Sequence, residues 1–246
     1  MSSPVMHING IAWVLGSGTG CSRQLPPALL DFSAAEESAL ENFSCKPYLQ
    51  SSKGYLDAAA HYLLAACSLL RSEGEKQGQP LPAGARTGMV CLTHFGAPRS
   101  GFTFFRQMTE KGPRFASPLV FPQAYSNTAP NLAAMEFSWS GPHCVYAGPQ
   151  DCRLPWQFAA DRLADGSADC IVLTAYEAAS AELLPPDYPV RNGAIALRLE
   201  KTASPGSLAV PPELLSGTAP EALPPPHGSV QAELLFLSRI FPAVSD

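Results

Sequence analysis

Residues 121–154 read FPQAYSNTAPNLAAMEFSWSGPHCVYAGPQDCRL, and this stretch decides the fold. The spacing predicts a helix over residues 131–139. Pro130 is tolerated in its first turn, where the backbone donors have no helical partner to lose. Ala133, Ala134 and Phe137 then share one face. Gly141-Pro142 ends that run, and residues 143–147 (HCVYA) form a short apolar strand. A tight turn through Gly148, Pro149 and Gln150 leads into a further helix over residues 151–163. Asp151 is a candidate N-cap there, and Pro155 falls among the unpaired donors of the first turn.

Working outward, the same alternation recurs. Residues 10–16 (GIAWVLG), 87–93 (TGMVCLT), 169–174 (DCIVLT) and 193–199 (GAIALRL) read as short apolar strands. Residues 55–71 are rich in alanine and leucine and read as a buried helix. Residues 102–111 read as a helix stopping at Gly112-Pro113. Residues 21–52 read as irregular, with an acidic helix near 34–42, and residues 73–85 as a loop. Apolar strands alternating with helices imply a mostly parallel sheet covered on both faces. Residues 202–228 are rich in Pro, Ala, Ser and Gly and read as an extended connection. Residues 230–241 return to a helical pattern, with Leu234, Leu237 and Phe241 on one stripe. No internal repeat is visible.

At 246 residues the chain can bury a substantial core, about three-quarters of its unfolded surface. Only 15% of its residues are charged, against about 25% in a typical globular protein, which suggests that much of the surface is covered, by a partner or by the chain itself. A net charge of −5 without any basic run argues against an electrostatic nucleic-acid binder. No apolar stretch reaches the ~18 residues of a membrane span, and the N-terminus lacks the basic start of a signal peptide. These features lead to the expectation of a cytoplasmic protein. The seven cysteines show no zinc spacing, and Cys144, Cys152 and Cys170 read as inert thiols. Asp161, Asp165 and Asp169 read as a solvated helix face and turn, so no metal and no cofactor is expected.

The order of elements resembles the N-terminal half of the β-ketoacyl synthases, the thiolase-like condensing enzymes. The likeness covers residues 10–200. It rests on Pro118 and Pro122, Asn127, Ala133-Ala134 and Gly141-Pro142. It also rests on the turn and strand running from Asp165 through Gly166 and Asp169, and on the strand from Gly193 to Glu200. The resemblance implies an α/β fold, a layered α/β/α domain with a five-stranded mixed sheet. It also implies a division into a ketosynthase-like domain over 1–200, a Pro/Ala-rich connection over 201–228, and a terminal helix over 229–246 packing on the domain or on a partner.

In that family a cysteine follows the Gly-Pro, and here the position falls on Gln150. Cys152 comes two residues later, and Cys144 lies within the strand. An amide cannot form a thioester, and covalent acyl transfer needs a thiolate in an oxyanion-stabilising turn. The family's two catalytic histidines belong to a second half, and His7, His61, His94, His143 and His227 lie in no comparable context. Glutamine at this position is the pattern of chain-length factors, inactive homologues that pair with an active ketosynthase, including short ones from aryl polyene and type II fatty-acid-like pathways. The resemblance then implies a full-length ketosynthase as partner, with acyl carrier protein met through the complex. It places the subunit interface on the strand at residues 143–147 and the helix leading into it. Interface and tunnel candidates are Phe102, Phe105 and Met108, at i, i+3, i+6 spacing, with Asn127, Ala134, Phe137, Cys144 and Tyr146. The plainer reading of the Phe102 stripe is burial in the core. A glutamine ketosynthase that decarboxylates malonyl carrier protein is the enzymatic alternative. An unrelated α/β enzyme has no GxSxG, P-loop or GxGxxG motif behind it.

Overall fold

Three strands are mostly apolar and buried along almost their whole length because both of their faces are covered. They are β3 (Thr87–Thr93), β5 (Cys170–Glu177) and β6 (Gly193–Glu200), and all but the last residue of β6 is buried. The computed structural model describes residues 6–30, 40–148, 152–179, 181–184, 190–216 and 228–241. Around the central strands lie β1 (Met6–Leu15), β2 (Gly18–Ser22), β4 (His143–Ala147) and β7 (Leu208–Val210). The sheet order is β2-β1-β6-β5-β3-β4, with β7 also paired to β1.

The sheet therefore has seven strands rather than the expected five. The two extra strands are short, and β2 (GTGCS) is too polar to carry an apolar alternation. Both lie on the outer side of β1, β7 against Met6–Ile8 and β2 against residues 11–15. The expectation of a mostly parallel sheet is also corrected. Only β3 runs parallel to its neighbours, β4 and β5, whereas β6 runs antiparallel to both β1 and β5. Hydrophobic periodicity reports which faces are buried and is silent on strand direction.

One face of the sheet is covered by α1 (Ala58–Lys76) and α3 (Thr128–Phe137), the other by α4 (Arg153–Ala164) and α6 (Ser229–Ile240). Alternate strand residues divide between the two cores: Met89, Cys91 and Val172 meet α1, while Val90, Ile171 and Leu173 meet α4 and α6. This is the layered α/β/α arrangement. Asp57 caps α1 by accepting from the Ala59 amide at 3.0 Å. The helix runs on to Lys76, past the expected start of a loop. Gly74 sits inside it because a Cβ there would come within 2.7 Å of the Gln79 carbonyl and 3.1 Å of Arg198. The 202–228 stretch carries β7 and a short helix, α5 (Pro212–Ser216). The acidic helix near 34–42 falls almost wholly outside the described residues.

The Gly141-Pro142 stop has a steric cause. The Gly141 amide donates to the Thr87 carbonyl at 3.0 Å, and a Cβ on Gly141 would lie 2.6 Å from that oxygen. Only glycine lets the chain pass this close before β4 pairs with β3. The terminal helix belongs to the core. Val230, Leu234 and Leu237 are fully buried, and Phe241 lies at its C-cap rather than on the buried stripe.

Candidate functional site

The parallel strands β3, β4 and β5 end together, with Thr93 paired to Ala147 and Leu92 to Ala175. The carboxyl ends of parallel strands are where α/β sheets place their sites. Gly148 (φ 91°) donates to the Thr93 carbonyl at 2.9 Å and turns the chain off β4. Pro149, Gln150 and Asp151 lie outside the described residues. The chain resumes at Cys152, which occupies the N-cap of α4 without a side-chain capping bond.

Glu177, buried at the end of β5, organises this end of the sheet. Its carboxylate accepts from the amides of His94 (2.6 Å), Phe95 (3.2 Å) and Ser229 (2.9 Å). One group therefore holds both the loop after β3 and the N-terminus of α6, where a negative charge is favourable. Burial raises its pKa while these donors lower it, and burial prevails. Gly228 (φ 85°) makes room, because a Cβ there would lie 2.8 Å from the Glu177 Cγ. His94 is half-buried, its pKa lowered by burial, and its Nε2 has no hydrogen-bond partner among the described residues. Neither Glu177 nor this loop was singled out in the sequence. The only signal was a carboxylate ending an otherwise apolar strand.

Every cysteine with a shifted thiol is shifted away from the thiolate. Burial raises Cys45, Cys67 and Cys170, pushes Cys21 up to about 11, and pushes Cys91 up to about 12. The inert reading suits Cys170, which is fully buried; Cys144 and Cys152 are half-buried, and no disulfide joins the described cysteines. Cys144 and Tyr146 both pack on the α4 side of the sheet, and Tyr146 is raised first by burial and then by Cys144. Among the described residues no three His, Cys, Asp or Glu side chains gather as a metal site, and no helix is long and apolar enough to cross a membrane.

The surface beside this end is the unusual one. β4 is the last strand of the sheet among the described residues and pairs there with β3; Cys144, Val145 and Tyr146 are half-buried, and His143 and Ala147 are exposed. The helix α2 (Pro98–Lys111) and the turns after it form an excursion stitched mainly to itself. Phe104 meets Phe121 at 4.9 Å between ring centroids, Phe121 meets Tyr125 at 5.2 Å, and Gln107 accepts from the Ser117 amide at 2.8 Å. Of the α2 residues only Ser100 is buried. Phe102 is 47% exposed, Phe105 58%, Phe115 68% and Leu119 70%. The core-packing reading of the Phe102 stripe therefore fails, although Met108 is half-buried. Phe115, Leu119, Phe121 and Tyr125 were missed in the sequence because they follow no helical or strand period.

The other candidates are spread out. Asn127 is exposed at the N-cap of α3 without capping it through its side chain, and Ala134 is half-buried. Phe137 stacks near Trp139 at 4.9 Å and under the Arg71 guanidinium at 5.9 Å, which ties it to the α1 core.

No protein-family model and no curated protein matches this sequence. Solved structures do match in fold. A chain of the ishigamide ketosynthase/chain length factor superposes with a TM-score of 0.60 at 16% identity, covering 80% of this chain and 62% of that one. A chain of AntDE:AntF, a type II acyl-carrier protein in complex with its ketosynthase, gives 0.56 at 12% identity, covering 80% and 63%. The ketosynthase ApeO with its chain length factor ApeC, from Xenorhabdus doucetiae, gives 0.51 at 12% identity, covering 81% and 80%. The chain thus spans less than two-thirds of the first two of these chains. It has the thiolase-like fold that these ketosynthase/chain-length-factor complexes share.

Proposed function

We propose that this chain is a non-catalytic chain-length factor. It pairs with an active ketosynthase and shapes the acyl-elongation tunnel in polyene or fatty-acid-like biosynthesis. The observation that carries this reading is the exposed aromatic surface of α2 and the turns after it, in a fold shared with ketosynthase/chain-length-factor complexes. Large apolar side chains exposed together are what a partner covers. Gln150, at the position that the family resemblance assigns to the nucleophile, supports a subunit that keeps the interface without the thioester chemistry. Phe102, Phe105 and Met108 supply bulk for the tunnel wall, and acyl carrier protein reaches the complex through the ketosynthase. The 1–200 domain carries these surfaces, with 201–228 as the connection and the terminal helix closing the core.

Co-expression with a ketosynthase encoded near its gene tests the reading. A stable 1:1 complex on size exclusion is expected, and elution as separate species would sink it. Within that complex, Phe102→Ala with Phe105→Ala should lengthen the products, and unchanged length would remove those residues from the wall. Release of carbon dioxide from malonyl carrier protein by the chain alone would favour the decarboxylase reading instead.

A further inference from the structure

We infer that Glu177 couples two segments far apart in the chain: the seating of the terminal helix α6 fixes the base of the α2 excursion, and the order of the excursion in turn steadies α6. Both ends of the excursion meet at the end of β5. Gly96 at its start lies so near Ser126 at its end that a Cβ on Gly96 would come within 3.2 Å of the Ser126 Cβ. The Tyr176 hydroxyl donates to the Ser126 carbonyl, and the Gly96 amide donates to the Thr93 hydroxyl at 2.9 Å. Glu177, next in the strand, accepts from the His94 and Phe95 amides. The same two residues of β5 hold α6. The Ser229 amide donates to Glu177, and the Ser229 hydroxyl donates to the Tyr176 carbonyl at 3.2 Å.

A single oxygen joins the two segments. Glu177 Oε1 accepts from His94 at 2.6 Å and from Ser229 at 2.9 Å, while Oε2 takes Phe95 at 3.2 Å and the Thr93 hydroxyl at 3.4 Å. The carboxylate is fully buried, and all of these partners are neutral donors. A buried charge with no cation beside it persists only while hydrogen bonds offset the loss of water. Each amide therefore supports the charge on which the other amides depend. Loosening the first turn of α6 takes a donor from Oε1 and weakens the hold on His94 and Phe95. Linkage makes the effect reciprocal, so a molecule that orders the aromatic face of the excursion also tightens the start of α6.

Because both segments belong to one chain, native-state amide exchange of the isolated protein, read residue by residue by NMR, tests the coupling without any partner. Ser229→Gly removes the hydroxyl and loosens the first turn of α6, yet leaves in place the amide that Glu177 accepts. It should speed exchange of the His94 and Phe95 amides about fivefold. Glu177→Gln keeps the shape and removes the charge, and should speed exchange at His94, Phe95 and Ser229 together by about tenfold. Added to Glu177→Gln, Ser229→Gly should change the His94 and Phe95 rates by less than about twofold, because the shared charge is already gone. The Gly166 amide is the reference; it donates to Leu163 just before β5, at the end of that strand opposite to Glu177. Its rate should stay within about twofold in every variant. Unchanged His94 and Phe95 rates in Ser229→Gly, or the same gain with and without the Glu177 charge, overturn the coupling. Equal acceleration at Gly166 overturns it too, since the whole chain would then be opening.

Discussion

Glu233 in α6 should make this protein less stable as pH rises through neutrality. Its side chain is fully buried; one oxygen accepts from the Trp156 indole at 2.9 Å and the other has no partner among the described residues. Burial pushes its pKa from the ordinary 4.5 up to about 8, against the opposing pull of the indole. Below pH 4.5 the carboxyl is protonated both folded and unfolded and contributes nothing. Between pH 4.5 and 8 the unfolded chain releases the proton and the native chain keeps it, so stability falls by about 1.4 kcal/mol per pH unit. The accumulated loss is roughly 4–5 kcal/mol by pH 8 and is constant above it. Glu233→Gln removes this dependence, because the amide carries no proton equilibrium. It can still accept from Trp156, but its NH2 becomes a buried donor without a partner, costing about 1–3 kcal/mol. The variant should therefore be less stable than wild type at pH 5 by roughly 1–2 kcal/mol, equal to it near about pH 6, and more stable at pH 8 by roughly 2 kcal/mol. Urea midpoints at pH 5, 6, 7 and 8, with the slope m checked for constancy, read this directly. Two stability curves that stay parallel across this range would refute the reasoning, since Glu233 would then ionise alike in both states.

Other outcomes follow from the same packing. Gly141→Ala places a Cβ 2.6–2.7 Å from the carbonyl oxygens of Thr87 and Ala85, and should lower unfolding free energy by about 1–3 kcal/mol; an unchanged melting temperature would contradict the close approach. Gly228→Ala forces a side chain onto φ 85° and against Glu177, so amide exchange in α6 should accelerate while exchange in α1 stays slow. Cys67, Cys91 and Cys170 should resist alkylation until the chain unfolds, since all three are buried and their thiols raised. Partly exposed Cys21, Cys144 and Cys152 should label first, as peptide mass spectrometry would show. Phe105→Asp should change the isolated chain's stability by no more than about 0.5 kcal/mol while weakening the ketosynthase complex, and a large destabilisation would mean that the ring is packed.

The runs at 87–93, 169–174 and 193–199 were legible because burial on two faces demands mostly hydrophobic side chains, and 143–147 because Gly141-Pro142 and Gly148 bracket it. The Gly141-Pro142 stop was legible because glycine and proline restrict the backbone whatever surrounds them. The α/β class and the family resemblance followed from those signals in order. The seven-stranded count was not legible, because β2 and β7 owe their strand form to pairing with β1 rather than to their own composition. The direction of β6 was not legible either, since an apolar run reads the same in both directions. Nor was the fate of the aromatic residues between 102 and 125. A phenylalanine has the same composition signature in a core as on a surface, and only the tertiary fold, which packs α2 against its own excursion instead of the sheet, left Phe102 and Phe105 in solvent. What the sequence alone determined is what local sterics and two-sided burial impose. What the tertiary structure decided is which apolar surface the chain covers for itself and which it leaves open.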